Sequence, residues 1–226
     1  MDSPGGFGNF SYDLAHLLGG AVLVLTFGLL YQRRLTAVIN TYSVQSWALA
    51  AAAAWQGWVQ GSAELYVAAL IALSVKGVVI PIALHRIVRR LDIHRTVEAA
   101  MGVFPSMALG VALVVLAILL VLPSTMESQV LTREDLALAL SVVLLGHLML
   151  ITRRTALTQV VGFMSIENGL ILGAVGVRGM PLVVELSVAV LVLVGAVVFG
   201  VFFFRIRERF DSLDDSHLDR VGEAHR

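Results

Sequence analysis

Four ionisable residues stand in sequence apolar enough to be membrane core: Lys76, Glu167, Glu185 and His147. A charged side chain at a bilayer centre costs about 2.5–3.5 kcal/mol on insertion scales, so such residues are candidates for a proton or ion path. Lys76 lies near the middle of the apolar run Ala63–Leu84 and Glu167 near the middle of Ala156–Val177. Glu185 is just inside the run Leu182–Phe204, roughly 5 Å deep at 1.5 Å per residue. His147 occupies the inner half of Leu136–Ile151.

Each of the four has two chemical readings. Lys76 is followed by Pro81, which removes the helical hydrogen bond to the Gly77 carbonyl and is expected to kink the helix. A freed carbonyl beside a buried amine builds a mid-membrane ion or water site; the other reading is a packing kink with Lys76 paired to a carboxylate on a neighbouring helix. Glu167, followed by Asn168, reads best as a proton relay, with a structural pair to Lys76 as the alternative. Glu185 reads as a helix-dipole partner or as the exit station of a proton path. His147 reads as an interhelical hydrogen-bond donor or a relay. Gln45 and Asn40 could join an internal polar network, or serve as helix glue.

The elements that must hold these residues follow from composition. The chain has 226 residues, 58% of them apolar and 14% charged, with a mean hydropathy of +0.87. An ordinary soluble domain carries about a quarter charged residues, and a globule of this size buries only about two-thirds of its surface, so the bilayer is the fitting solvent. Seven runs are long enough to cross it: Leu14–Leu30, Leu35–Trp58, Ala63–Leu84, Met101–Leu122, Leu136–Ile151, Ala156–Val177 and Leu182–Phe204. The expected fold is all-α, a polytopic bundle forming one integral membrane domain over 1–226. Four N-terminal helices would cover 14–122, a three-helix part 136–204, and a cytoplasmic tail 205–226.

The connections alternate in Lys and Arg. Arg33 and Arg34, Arg86 to Arg95, Arg153 and Arg154, and the tail arginines fall on one side, while Arg133 and Arg178 fall on the other. Positive loops stay cytoplasmic, which puts the N-terminus outside and the C-terminus inside. The N-terminus lacks the features of a cleaved signal peptide, and the first helix reads as an uncleaved anchor. In the sixth run, glycines 162, 169, 173 and 176 share a stripe that allows close approach of another helix.

The same sequence excludes much. Formal net charge is zero, giving no basic character for nucleic acid. Without cysteine there are no disulfides, thiolate-ligated clusters or cysteine catalysis. No phosphate-binding, dinucleotide, zinc-protease or serine-hydrolase motif is present, and the six histidines show no ligand spacing. No catalytic, cofactor-binding or metal residue is expected.

Several segments together resemble hydrogenase-4 component E, a membrane subunit of group 4 hydrogenase and formate hydrogenlyase complexes. They are Tyr42-Ser43-Val44-Gln45-Ser46, Lys76 with Val79 and Pro81, Gly162-Phe163 through Glu167-Asn168-Gly169, Val184-Glu185, and Phe210-Asp211-Ser212-Leu213-Asp214. The part from Leu136 to Phe204 is also similar to the K subunit of complex I and the C subunit of Mrp-type cation/proton antiporters. There the sequence departs from the pattern at one place: Met164 stands where the K subunit has its glutamate, and Glu167 lies one helical turn further on. The resemblance implies a non-catalytic subunit of a complex I-like redox assembly in a prokaryotic inner membrane. Antiporter-like membrane subunits and soluble redox subunits would be its partners, and proton or cation translocation would use Glu167, Glu185, Lys76 and His147, supported by Asn168, Gln45 and Pro81. The alternative is an accessory subunit of a multisubunit cation/proton antiporter.

Overall fold

A computed structural model describes residues 7–90, 99–124 and 130–176. All belong to one compact unit, Met1–Val184. The described elements are helical: α1 (Phe7–Tyr31), α2 (Leu35–Gln60), α3 (Ala63–Ile71), a π-helix over Ala72–Val79, α4 (Ile80–Arg90), α5 (Val103–Ser124), α6 (Val130–Thr152) and α7 (Ala156–Gly176). The all-α expectation holds for this part. Each of the first six expected runs has a helical counterpart, with α3, the π-helix and α4 forming one rod. The seventh run, Leu182–Phe204, lies outside the described residues, as does the tail.

Five of these rods are long and apolar enough to cross a membrane: Asp13–Tyr31, Ala63–Arg89, Val103–Val121, Glu134–Thr152 and Ala156–Gly176. The chain therefore has the character of a membrane protein. The fifth run, which looks short in the sequence, gains length because α6 starts at Val130 and takes Glu134 and Asp135 into its first turns. α2 has the length but a more polar composition, and the reason is positional. It packs against α1, α3, the π-helix, α4 and α7, and its Gln45 and Ser46 point into the bundle rather than outward.

Helix ends follow the local chemistry. α2 stops where Gly61 takes a left-handed conformation, φ +66°, and donates its N–H to the Gly57 carbonyl. The α6–α7 pair is the tightest contact in the bundle, and the glycine stripe explains it. A β-carbon on Gly162 or Gly169 would meet α6 backbone, 3.1 Å from Leu150 N and 2.9 Å from Val143 N respectively. From the other side, Gly146 faces the backbone of Ile166 and Gly162 in the same way. Small residues let helices pack at backbone contact inside a membrane.

Two apolar clusters fill the interior. One, toward the end with the arginine-bearing connections, gathers Leu29, Leu35, Tyr42, Leu84, Leu145, Met149, Leu157 and Val161. The other, toward the opposite end, gathers Val22, Leu49, Ala53, Leu65, Val142, Ile171 and Leu172. Along α1, α2 and α7 these clusters leave a level between them, occupied by Thr26, Gln45 and Ser165 with Asn168.

Arg153 corrects a simpler expectation. By composition it is a loop cation with Arg154, yet it is buried and donates from one guanidinium nitrogen to the carbonyls of Leu29, Leu30 and Gln32. Leu29 and Leu30 belong to the last turn of α1, whose carbonyls have no helical partner, and Gln32 lies just past its end. Burial, and then the nearby charge of Arg33, lower its pKa, but an arginine remains protonated. The bond ties the α6–α7 connection to the α1–α2 connection, and Ala100 N donates to Thr152 O at the same end.

Candidate functional site

The π-helix positions the central residue of the site. Its i→i+5 bonding is continued by Ile80, whose N–H reaches the Val75 carbonyl. Pro81 has no N–H to offer Gly77. The Gly77 carbonyl is nevertheless not free, which corrects the expectation of an open carbonyl beside the amine. Ser43 Oγ donates to it, and so does Trp47 Nε1 at 3.1 Å, both from α2. Two α2 side chains thus replace the missing helical donor.

Lys76 itself is fully buried. Its Nζ lies 2.7 Å from Glu167 Oε1 on α7 and donates to Asn168 Oδ1 at 2.9 Å. Asn168 Nδ2 donates to Gln45 Oε1 at 3.1 Å. Gln45 Nε2 then donates to Thr26 Oγ1 and Ser165 Oγ, at 2.8 and 3.0 Å. Thr26 ends the chain on the Val22 carbonyl of its own helix. Every donor points away from the ammonium, so Lys76 polarises the whole chain in one direction. Four rods meet in this network: α1, α2, the π-helix and α7.

The acid side of the site is less saturated. Glu167 is buried, and its Oε2 has no hydrogen-bond partner among the described residues, while the nearby hydroxyls of Tyr42 and Ser46 have only each other. The Tyr42 hydroxyl is close enough to the carboxylate to feel its charge. Buried polar atoms are almost always satisfied. These groups stand beside the ion pair, on the side away from Asn168 and Gln45 that the Lys76 chain of donors leaves unused.

The structure thus joins Lys76, Glu167, Asn168 and Gln45 in one cluster, with Pro81 one turn along the rod. Tyr42, Thr26, Ser46 and Ser165 complete the cluster, and the sequence reading did not assign them a role. Tyr42 and Ser46 flank Gln45 within a polar stretch of an otherwise apolar run, which was the available signal. Thr26 and Ser165 carry no such signal, because isolated hydroxyls are common in membrane helices. His147 is elsewhere. It is exposed on α6, with Nδ1 bonded to the Val143 carbonyl of its own helix at 2.9 Å, and it does not touch the cluster. Asn40 is likewise exposed. Glu185 lies outside the described residues. Among the described residues no group of His, Asp and Glu side chains has metal-binding geometry.

A second charged group lies at the far end of the bundle, where His16 of α1 reaches Glu134 and Asp135 of α6, each at 3.2 Å. It ties the first half of α1 to the first turns of α6 and has no link to the Lys76 network.

The chain is similar to an uncharacterized protein of Mycobacterium tuberculosis, 28% identical over 217 residues that cover 95% of this chain and 97% of the relative. No protein-family model matches it, and no solved structure does.

Proposed function

We propose that this protein is a non-catalytic membrane subunit of a complex I-like, hydrogenase-4-type redox complex, and that the Lys76–Glu167 pair is a station on its proton path. The observation that carries this reading is the enclosed pair itself: an ammonium and a carboxylate 2.7 Å apart, away from both ends of the bundle. Such a pair holds a proton on either partner. Protonation of Glu167 releases Lys76 from its counter-charge, and the freed charge acts on neighbouring groups through a low dielectric. Oε2 of Glu167 and the Tyr42 hydroxyl give the proton a route that does not break the Asn168–Gln45 chain. Glu185 would serve as the exit on the outer side. The resemblance to hydrogenase-4 component E supplies the setting, with redox centres in soluble partners and the chain itself in a prokaryotic inner membrane, N-terminus outside.

The test is Glu167→Gln in the assembled complex. Assembly should survive, because glutamine can still accept from Lys76, while redox-coupled proton movement should be lost. Unchanged pumping would remove Glu167 from the path.

A second reading is favoured by the saturation of Lys76, which has both a carboxylate and an amide oxygen. In that reading the pair only fixes helix register, a role buried polar groups play in some systems. It predicts that replacing both partners costs activity no more than it costs stability.

A further inference from the structure

Between the rod and α2, lined by neither Lys76 nor Glu167, lies a cavity of about 470 Å³. From Gly77 to Arg89 it follows the rod for about 18 Å at helical rise, which is the length of a lipid head group with a good part of one acyl chain. Its two ends differ in chemistry. One end is formed by Arg86 and Arg89, both exposed, and by His85. No acidic side chain lines the cavity, and neither arginine has an ion pair among the described residues. His85 Nδ1 is 2.8 Å from the Pro81 carbonyl. That partner accepts, so Nδ1 carries the proton. The other end is mostly apolar: Val78 and Ile82 are 42% and 47% exposed, the Trp47 ring closes it, and Ser43 there is spent on the Gly77 carbonyl.

A groove whose cationic end has no ion pair among the described residues, and whose other end is largely apolar, is complementary to an anionic amphiphile. Basic pockets between membrane helices are known head-group sites. We propose that this groove binds one anionic phospholipid, its phosphate between Arg86 and Arg89 and an acyl chain along Val78, Ile82 and Trp47. The inference does not depend on the proton path, because neither Lys76 nor Glu167 lines the groove.

Trp47 provides a local readout, since the chain has only three tryptophans. In the Trp55→Phe/Trp58→Phe background, the full chain with its native partners is reconstituted in phosphatidylcholine vesicles. These carry either brominated phosphatidylglycerol or brominated phosphatidylcholine. Phosphatidylglycerol should quench Trp47 with a relative affinity roughly thirtyfold higher, the preference expected from two interfacial arginines. Arg86→Gln/Arg89→Gln should abolish that preference, and Arg34→Gln, an exposed arginine outside the groove, should not. If the double variant does not fold, Ile82→Phe, which fills the apolar end without touching charge, should weaken quenching by both lipids. Equal quenching by the two lipids would overturn the proposal. So would no quenching by either, which would mean that a protein covers the groove, or displacement of the lipid by inorganic phosphate, which would mean a soluble anion is the ligand.

Discussion

Trp47 lies across Gly77. Its indole Nε1 donates to the Gly77 carbonyl, while its ring carbon Cδ1 occupies the space a β-carbon on residue 77 would need. The absence of one side chain and the presence of another are therefore a single feature. It lets a large aromatic ring seal the rod beside Lys76 and supply a donor that Pro81 cannot.

Gly77→Ala should accordingly destabilise the protein by ~1–3 kcal/mol, the usual cost of overpacking. The same substitution in a Trp47→Ala background should cost much less, because the clash is gone. Thermal unfolding of the four proteins of this double-mutant cycle in mild detergent measures the coupling. Additive effects would contradict the arrangement.

Lys76→Met alone should be severe, since it leaves a buried carboxylate without its counter-charge. Breaking such a pair costs ~3–5 kcal/mol, whereas replacing both members with apolar residues is often close to neutral. Lys76→Met/Glu167→Met should therefore be more stable than either single variant. Loss of proton movement in a stable double variant would separate the relay from the register-fixing role.

Gly169→Ala should push α6 and α7 apart, because its β-carbon would meet the Val143 nitrogen. Gly20→Ala in α1 is the matched control, with nothing within 4 Å of the added carbon. We expect the first to lower the unfolding midpoint clearly, by ~1–3 kcal/mol. The second should be neutral or slightly stabilising, since alanine favours helix by ~1 kcal/mol over glycine.

Arg153→Lys should be a poor replacement, because a guanidinium shares its donors among three carbonyls and an ammonium on a shorter reach does not. A loss of ~1.5–3 kcal/mol is expected, the value of a hydrogen bond to a charged group. Arg154→Lys should change nothing measurable in the same unfolding assay, and an equal loss in both variants would show that charge alone matters.

Much of this arrangement was legible in the residues. Apolar runs located six helices, and the glycine spacing in α7 indicated a close neighbour. Lys76 and Glu167 stood out because a bilayer makes a charge expensive. Their pairing was one of two readings, since nothing in a single sequence states which helices are adjacent. Arg153 could not be distinguished from Arg154 for a related reason: its partners are backbone carbonyls, which every residue has. The π-helix also lacked a sequence sign, because Pro81 accounts for a lost hydrogen bond but not for a stretch of wider winding before it. His147 looked like Lys76 and Glu167 by depth alone, and depth does not tell which way a side chain faces.

That wider winding has a geometric consequence. Residues 72–79 set the angular phase between Lys76, which faces the bundle, and Arg86 and Arg89, which face the groove. Each i→i+5 loop takes up one residue more than an α-turn. The same eight residues wound as ordinary α-helix would turn Ile80–Arg90 by about 100° against α3. The rod thus behaves as a keyed shaft: its buried cation and its two groove arginines keep their separate faces only while the wider winding is retained.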